Sequence, residues 1–306
     1  MIPTFPQFKP LSLEDNDEVE ARTRHFPYYS DYNFSSLWCW DVDRVRELSV
    51  LDDNLVVKFS DYETGDPFLS FLGMANTTKT AQTLMAYAAS IGLDPALRLM
   101  PEVAVHDMHP DELQVTADFA NFDYVYLASR IAAFPGNQYR SKRQAAEFFM
   151  RTHPNHSFEV RRLGEPGVKE DVCAIVSAWG HRKGIADDQS SAHEVEAINN
   201  LFSLAEMRDL LVGMVRTDGV PTSFTIEEVV NHIFSIGHFW KTAGRVDGEY
   251  DFLARSMARY LCEREVVYLN WEQDLGIESL RYSKSSYRPS DFLKKFTVAA
   301  QPTLQV

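Results

Sequence analysis

The sequence predicts a mixed α/β fold in two lobes, and three observations carry that prediction. The chain has 306 residues, about twice the usual length of one domain. Short apolar runs alternate with segments of helical period along its whole length. In the second half these fall in the order β-α-α-β-β-β-α-β-α-β. Hydrophobic residues make up 45% and charged residues 24%, as in ordinary globular proteins, and 20 Phe, 13 Tyr and 5 Trp supply ample material for a core.

The first half opens with an acidic helix at 11–24. An aromatic stretch follows, with Phe26, Tyr28, Tyr29, Tyr32, Phe34, Trp38 and Trp40. Strands are expected at 47–51, 55–60 and 68–72, with Asp52-Asp53-Asn54 as the turn between the first two. A helix at 78–91 places Leu84, Ala88 and Ile91 on one face and stops at Gly92. A strand at 124–128, a loop at Pro135-Gly136-Asn137 and a helix at 141–151 complete this half. Pro154 lies in the boundary segment 152–157.

In the second half a strand is expected at 158–162. Helices at 168–179 and 193–204 follow, separated by a polar loop at 184–191. Strands at 209–216, 220–228 and 231–240 come next, and Asp218-Gly219 supplies hairpin chemistry between the first two. The helix at 248–264 is the clearest in the chain. Its Tyr250, Leu253, Ala254, Met257, Ala258 and Leu261 recur at helical spacing. A buried strand at 266–270, a helix at 274–287 and a strand at 292–298 finish the chain. This order is that of the GNAT (acetyltransferase) core, and the first half gives a rougher version of it. Two tandem GNAT-like lobes, 1–155 and 156–306, are therefore expected, with the main site in the second.

Composition excludes several classes. A formal net charge of −14 opposes broad affinity for nucleic acid or anionic membrane, though not a local basic groove. Cys39, Cys173 and Cys262 are scattered, in apolar contexts, and form no CxxC pair. They are expected to be buried free thiols. The N-terminus lacks the pattern of a signal peptide, and no stretch approaches the roughly 20 apolar residues of a membrane span. A cytoplasmic setting is the expectation. His106 and His109 are three apart in a proline-bracketed loop without a third ligand, so no metal site is assigned. Gly-x-Ser-x-Gly, Walker and His-Glu-x-x-His motifs do not occur.

Three segments could carry chemistry. After the third core strand, a GNAT-type loop holds a pyrophosphate at a helix N-terminus. Here it reads Arg245-Val246-Asp247-Gly248-Glu249-Tyr250. Arg245 and Gly248 suit that role. Tyr250 replaces a small residue, and Asp247 and Glu249 add charge of the wrong sign. Acyl-CoA is disfavoured, no other cofactor is implied, and the plain alternative is a helix start with Asp247 as N-cap.

The second segment runs from Asn270 through Glu272 and Asp274 to Arg281, Lys284 and Tyr287. It lies beyond the carboxyl end of a buried strand, where open α/β sheets gather ligands. Carboxylates there suit an amino-acid ammonium, and Arg and Lys suit an anionic or ester oxygen. Glu272, Asp274, Arg281, Lys284 and Tyr287 are the candidate catalytic residues, with Asn270 as a binding residue. The ordinary alternatives are Asp274 as a helix cap and a surface Glu278–Arg281 pair. His238 shares strand parity with His232 and lies where a substrate carbonyl would approach; it is either a binding residue or a satisfied structural histidine. The third segment is Tyr139-Arg140-Ser141-Lys142-Arg143, whose cations sit at a helix N-terminus against the dipole. Arg140, Lys142 and Arg143 either hold a phosphate or form a solvated cluster.

The chain resembles the soluble C-terminal catalytic domain of bacterial phosphatidylglycerol lysyltransferases. The resemblance covers nearly the whole chain. It rests on 5–9, on Asp31-Tyr32-Asn33-Phe34 with Leu37 and Trp40, on 139–143, and above all on Asn270-Trp271-Glu272-Gln273-Asp274-Leu275-Gly276-Ile277 with Leu280, Arg281, Lys284, Ser285, Tyr287 and Pro289. It implies tandem GNAT-type lobes and transfer of an aminoacyl group from aminoacyl-tRNA to a lipid or sterol hydroxyl. The expected function is aminoacyl or acyl transfer to a hydroxyl or amine of a small-molecule or lipid acceptor. An acyl-CoA-dependent N-acetyltransferase and a degenerate GNAT pair acting as a binding module are the alternatives.

Overall fold

The computed structural model describes residues 1–61, 64–183 and 189–301. Of the expected polar loop at 184–191, residues 184–188 lie outside the described residues. The chain divides into two compact units. One holds Met1–Asp123, Gln273–Gly276 and Leu293–Val306, the other Tyr124–Glu272 and Ile277–Phe292. The division differs from a cut at 155/156: residues 124–155 belong to the second unit, and the last strand belongs to the first.

In the first unit, β1 (Lys9–Pro10), β2 (Glu47–Leu51), β3 (Asn54–Ser60) and β4 (Pro67–Leu72) form an antiparallel sheet in chain order. Asp52 and Asp53 join β2 to β3 with φ of 49° and 69°, the left-handed pair a two-residue hairpin needs. A second sheet has the order β5 (Leu97–Pro101), β14 (Lys295–Ala300), β6 (Leu113–Ala117). The helices are α1 (Asn16–Thr23), α2 (Phe34–Cys39), α3 (Thr77–Ser90) and α4 (Glu102–Val105). Val56, Leu69 and Phe71 pack with Ala81, Leu84 and Ala88 of α3 and with Leu97, Met100 and Val298. Each large side chain so buried contributes about 1.5–3 kcal/mol. Cys39 is buried, as expected.

The second unit is built on a seven-stranded sheet. Its strands are β7 (Asp123–Leu127), β8 (His156–Arg162), β9 (Leu210–Thr217), β10 (Val220–Asn231), β11 (Phe234–Thr242), β12 (Tyr268–Asn270) and β13 (Asp291–Leu293). They lie in the order β13-β7-β12-β11-β10-β9-β8. The helices are α5 (Ala128–Ala133), α6 (Arg140–Thr152), α7 (Val168–Lys183), α8 (Gln189–Leu201), α9 (Glu249–Cys262) and α10 (Glu278–Ser286). The α9 stripe of Leu253, Ala254, Met257, Ala258 and Leu261 is buried as its spacing predicts, but Tyr250 is 38% exposed. Cys173 is exposed on α7 and Cys262 half-buried, so burial of all three thiols does not hold.

The feature that positions the site is the meeting of β11 and β12. These strands are parallel and pair only at Phe234↔Tyr268, Ser235↔Leu269 and Ile236↔Asn270. Beyond Ile236, β11 runs on to Thr242, whereas the chain after Asn270 bends away through Glu272, whose φ is 55°. The pairing thus ends at the shared carboxyl end of two parallel strands, where α/β sheets accommodate ligands. The helix expected from 274 begins only at Glu278, because Leu275 and Gly276 take left-handed φ of 54° and 75°. None of the described helices is long and apolar enough to cross a membrane.

Candidate functional site

Past the end of the β11–β12 pairing lies a buried ionic chain. The His238 Nε2 is 3.0 Å from Glu228 Oε2, and its Nδ1 is 3.2 Å from Glu272 Oε1. Arg208 donates to Glu228 Oε1 from Nε at 2.6 Å. Burial alone lowers the pKa of this imidazole. The hydrogen bonds and charges of Glu228 and Glu272 outweigh burial and push it up to about 9. His238 is therefore an imidazolium near neutral pH, donating to a carboxylate on each side. Of the two carboxylates on His238, Glu272 is the one open to solvent, its side chain 14% exposed against 1% for Glu228.

A third carboxylate adjoins this chain. Glu227 Oε1 accepts from Thr225 at 3.0 Å and Oε2 accepts from Ser235 at 2.9 Å. Burial pushes its carboxyl up to about 7, with the two hydroxyl donors and the His238 charge acting in the other direction. Among the described residues three carboxyl groups, Glu227, Glu228 and Glu272, thus lie with His238 and Arg208 in one low-dielectric region, where an uncompensated charge is costly.

Aromatic rings border the acids. Trp271 lies with its ring centroid 4.4 Å from Tyr126, 5.1 Å from Trp240 and 5.2 Å from Tyr287. Trp240 is 5.6 Å from Tyr250. Arg208 also lines an open groove of about 510 Å³ with Arg162, Glu165 and Glu206.

The structure distributes the sequence-selected residues unevenly. Asn270 is fully buried, and its Oδ1 accepts the Glu272 N–H at 2.7 Å, which fixes the left-handed backbone that aims Glu272. Lys284 Nζ donates to the Trp271 carbonyl at 2.5 Å, and Arg281 is exposed one turn earlier on α10. Tyr287 is buried and donates to Asp251 at 2.5 Å; burial foremost holds its phenol well above the usual range. Lys142 pairs with Asp251 at 3.3 Å and sits 3.8 Å from the centre of the Tyr287 ring. Arg143 donates to the carbonyls of Phe134 and Gly136, closing the C-terminus of α5, while Arg140 is exposed. Asp274 lies in the first compact unit, where its Oδ1 accepts the Gly276 N–H at 2.8 Å instead of capping a helix. His232 sits in the turn between β10 and β11, so it does not share a strand face with His238.

Sequence reasoning missed Glu227, Glu228 and Arg208. Two adjacent glutamates inside an apolar strand are a usable signal, since strand alternation cannot send both to water. Among the described residues no group of three His, Cys, Asp or Glu is placed to hold a metal ion.

The α9 N-terminus does not suit a pyrophosphate. Gly248, with φ 81°, caps the helix in place of Asp247. A side chain there would meet the Ala145 carbonyl oxygen at 1.9 Å, so α6 backbone already abuts this turn. Glu249 is buried in the first turn and accepts from Thr222, and a buried carboxylate repels phosphate.

Comparison with known proteins agrees with the architecture. A conserved protein of unknown function from Bacteroides thetaiotaomicron superposes with a TM-score of 0.82 at 26% identity, covering 98% of this chain and 100% of that one. L-PGS from Bacillus licheniformis matches with a TM-score of 0.61 at 11% identity, covering 99% and 95%. A tandem GNAT protein from the clavulanic acid biosynthesis pathway matches at 0.50 and 11%, covering 97% and 99%. These likenesses identify the fold as the mixed α/β GNAT type. Curated proteins give no match. The model of the family "Phosphatidylglycerol lysyltransferase, C-terminal" matches residues 23–299, a span that takes in β11, β12, the ionic chain between them and the whole 270–289 segment. On that match the chain belongs to the phosphatidylglycerol lysyltransferase C-terminal family, a transferase-related family with an acyltransferase-like fold.

Proposed function

We propose that this protein transfers an aminoacyl group from an activated ester, with aminoacyl-tRNA as donor, to a hydroxyl or amine of a small-molecule or lipid acceptor. The observation that carries this reading is the set of three carboxyl groups gathered at the carboxyl end of β11 and β12. Glu227, Glu228 and Glu272 stand against His238 and Arg208. An aminoacyl ester brings an α-ammonium, a charge that such acids suit, and Glu272 meets it from the solvent side. Arg281 and Lys284 on α10 serve the anionic side of the donor, and Tyr287 holds the ring wall through Asp251. The formal net charge of −14 concentrates any contact with tRNA on local cations such as Arg140 and Arg281. Acyl-CoA is a poorer donor candidate, because Glu249 and Tyr250 occupy the turn that would hold its phosphates.

Transfer from charged tRNA by the unaltered protein and by Arg281→Ala and Lys284→Ala tests the reading. A fall in kcat/KM of about tenfold or more in each variant is expected, the loss of about one charge-assisted hydrogen bond. Unchanged rates in both would remove α10 from the site. Calorimetric titration with CoA is expected to give no binding heat.

A further inference from the structure

The acyl-transfer reading makes no use of the groove beside Arg208. The end of β8 and the loop after it supply Arg162 and Gly164, and the segment leading into β9 supplies Glu206, Met207, Arg208 and Asp209. Its volume of about 510 Å³ suits a small organic molecule. The lining charges are unevenly committed. Glu165 accepts the Arg162 N–H at 2.9 Å and Arg161 Nε at 3.1 Å, so its carboxylate is engaged within its own turn. Arg208 donates to the buried Glu228 at 2.6 Å, and its side chain is only 11% exposed. Arg162 and Asp209 stand 3.9 Å apart, with side chains 74% and 49% exposed. An ion pair so long and so solvated holds little, which leaves both groups available to a ligand. Glu206 is exposed, and its Oε1 lies 3.1 Å from the place a β-carbon on Gly164 would take. The glycine thus lets this carboxylate lie against the β8–α7 turn.

We propose that this groove is a second binding site, for a free α-amino acid with an apolar side chain, its carboxylate on Arg162 and its ammonium on Asp209 and Glu206. The class follows from charge and spacing. A lone anion meets three acids, Glu165, Glu206 and Asp209, and a lone cation meets two arginines. A zwitterion with its charges on adjacent carbons pairs with both members of the Arg162–Asp209 couple at once. Guanidinium is the natural partner of a carboxylate, because its fork matches the two oxygens. Met207, which is 43% exposed, forms an apolar wall with Pro166 and Ala205. The carboxylate distinguishes this ligand from an aminoacyl ester, whose carboxyl carbon is bound to its carrier.

The groove reaches the ionic chain through one residue. Arg208 lines the groove and holds Glu228, Glu228 lies 3.0 Å from His238, and His238 lies 3.2 Å from Glu272. A carboxylate arriving beside Arg208 shares a guanidinium that otherwise serves Glu228, and members of such a network polarise one another. A bound amino acid is thereby sensed at His238 without entering the end of the β11–β12 pairing.

Calorimetric titration with L-leucine, 3-methylbutylamine and 4-methylpentanoate tests the site. The second compound is leucine without its carboxylate and the third is leucine without its ammonium. Leucine is expected to bind at least about tenfold more tightly than either. Arg162→Ala and Glu206→Gln alter exposed side chains, so the fold should be kept, and each should weaken leucine binding about fivefold or more. Absence of leucine binding up to about 20 mM, or equal affinity for all three compounds, would overturn the site. The ring signals of His238, assigned by their loss in His238→Gln, are expected to shift with leucine and to need about fivefold more of it in Arg162→Ala. Leucine binding with these signals unmoved would overturn the link to the ionic chain. Neither readout uses turnover. A protein inactive with charged tRNA would defeat the acyl-transfer reading, and the titration would still decide the groove.

Discussion

Each compact unit buries an ionic cluster, and the two clusters are built on opposite plans. In the first unit Lys295 is fully buried between Asp123, at 2.6 Å, and Asp31, with Ser30 Oγ at 3.4 Å. Ser30 in turn gives its N–H and its hydroxyl to Asp123 at 2.8 and 2.7 Å, and Gln273 reaches Asp31 at 3.4 Å. In the second unit His238 also stands between two carboxylates, but Glu227 adds a third acid, Glu272 opens to solvent, and two indole N–H groups have no hydrogen-bond partner among the described residues. The first cluster ties four distant pieces of chain together, whereas the second gathers its acids where a parallel strand pairing ends.

The largest expected effect falls on the closed cluster. Lys295→Met removes the cation between two buried carboxylates and should cost about 3–5 kcal/mol in urea unfolding, with transfer per folded molecule unchanged. Loss of transfer without loss of stability would erase the contrast. Next is Gly237→Ala in the open cluster, where the added methyl meets Glu227 and Trp240 at under 3 Å. It should cost about 1–3 kcal/mol by overpacking and impair transfer beyond that cost. Arg143→Ala sharpens the boundary of the site. This side chain closes α5 through carbonyls, so thermal unfolding should show a loss of about 1.5–3 kcal/mol and assays no change in donor KM.

The subtlest difference is in pH dependence. His238 titrates at about 9 folded against about 6.5 unfolded, so its contribution is complete below about pH 6.5 and is lost as pH rises through 9. Glu227 is held up to about 7 against about 4.3 unfolded. The folded state again keeps its proton longer, and stability falls between those values as pH rises. Opening free energies from hydrogen exchange, corrected for intrinsic rates, should therefore decline in β11 from pH 5 to 9. Glu227→Gln should flatten the lower half of that decline. Lys295 is raised above its usual value, so its contribution persists to about pH 10 and β14 should show no such trend.

Much of this was legible in the sequence where local rules decide. The α9 stripe and the Asp218-Gly219 hairpin follow from periodicity and turn chemistry, and both are present. Strands β5 and β6 were not anticipated because their partner, β14, arrives about 180 to 200 residues later. Helix α2 was hidden in an aromatic run of weak helical period. At the candidate site the 270–287 segment drew attention through density of polar residues. That Asn270 and Lys284 also hold backbone needed coordinates. Glu227 and Glu228 went unread, although the adjacent pair was a usable signal, because partners such as Ser235 and His238 on β11 and Arg208 in a loop come together only in the fold.

The central claim is that the open cluster at the end of β11 and β12 performs transfer. It is tested most directly by comparing Glu272→Gln with Lys295→Met in transfer from charged tRNA, each rate normalised to folded protein. The account predicts a loss of about 100-fold or more in Glu272→Gln and an unaltered rate in Lys295→Met. A full rate in Glu272→Gln would contradict it.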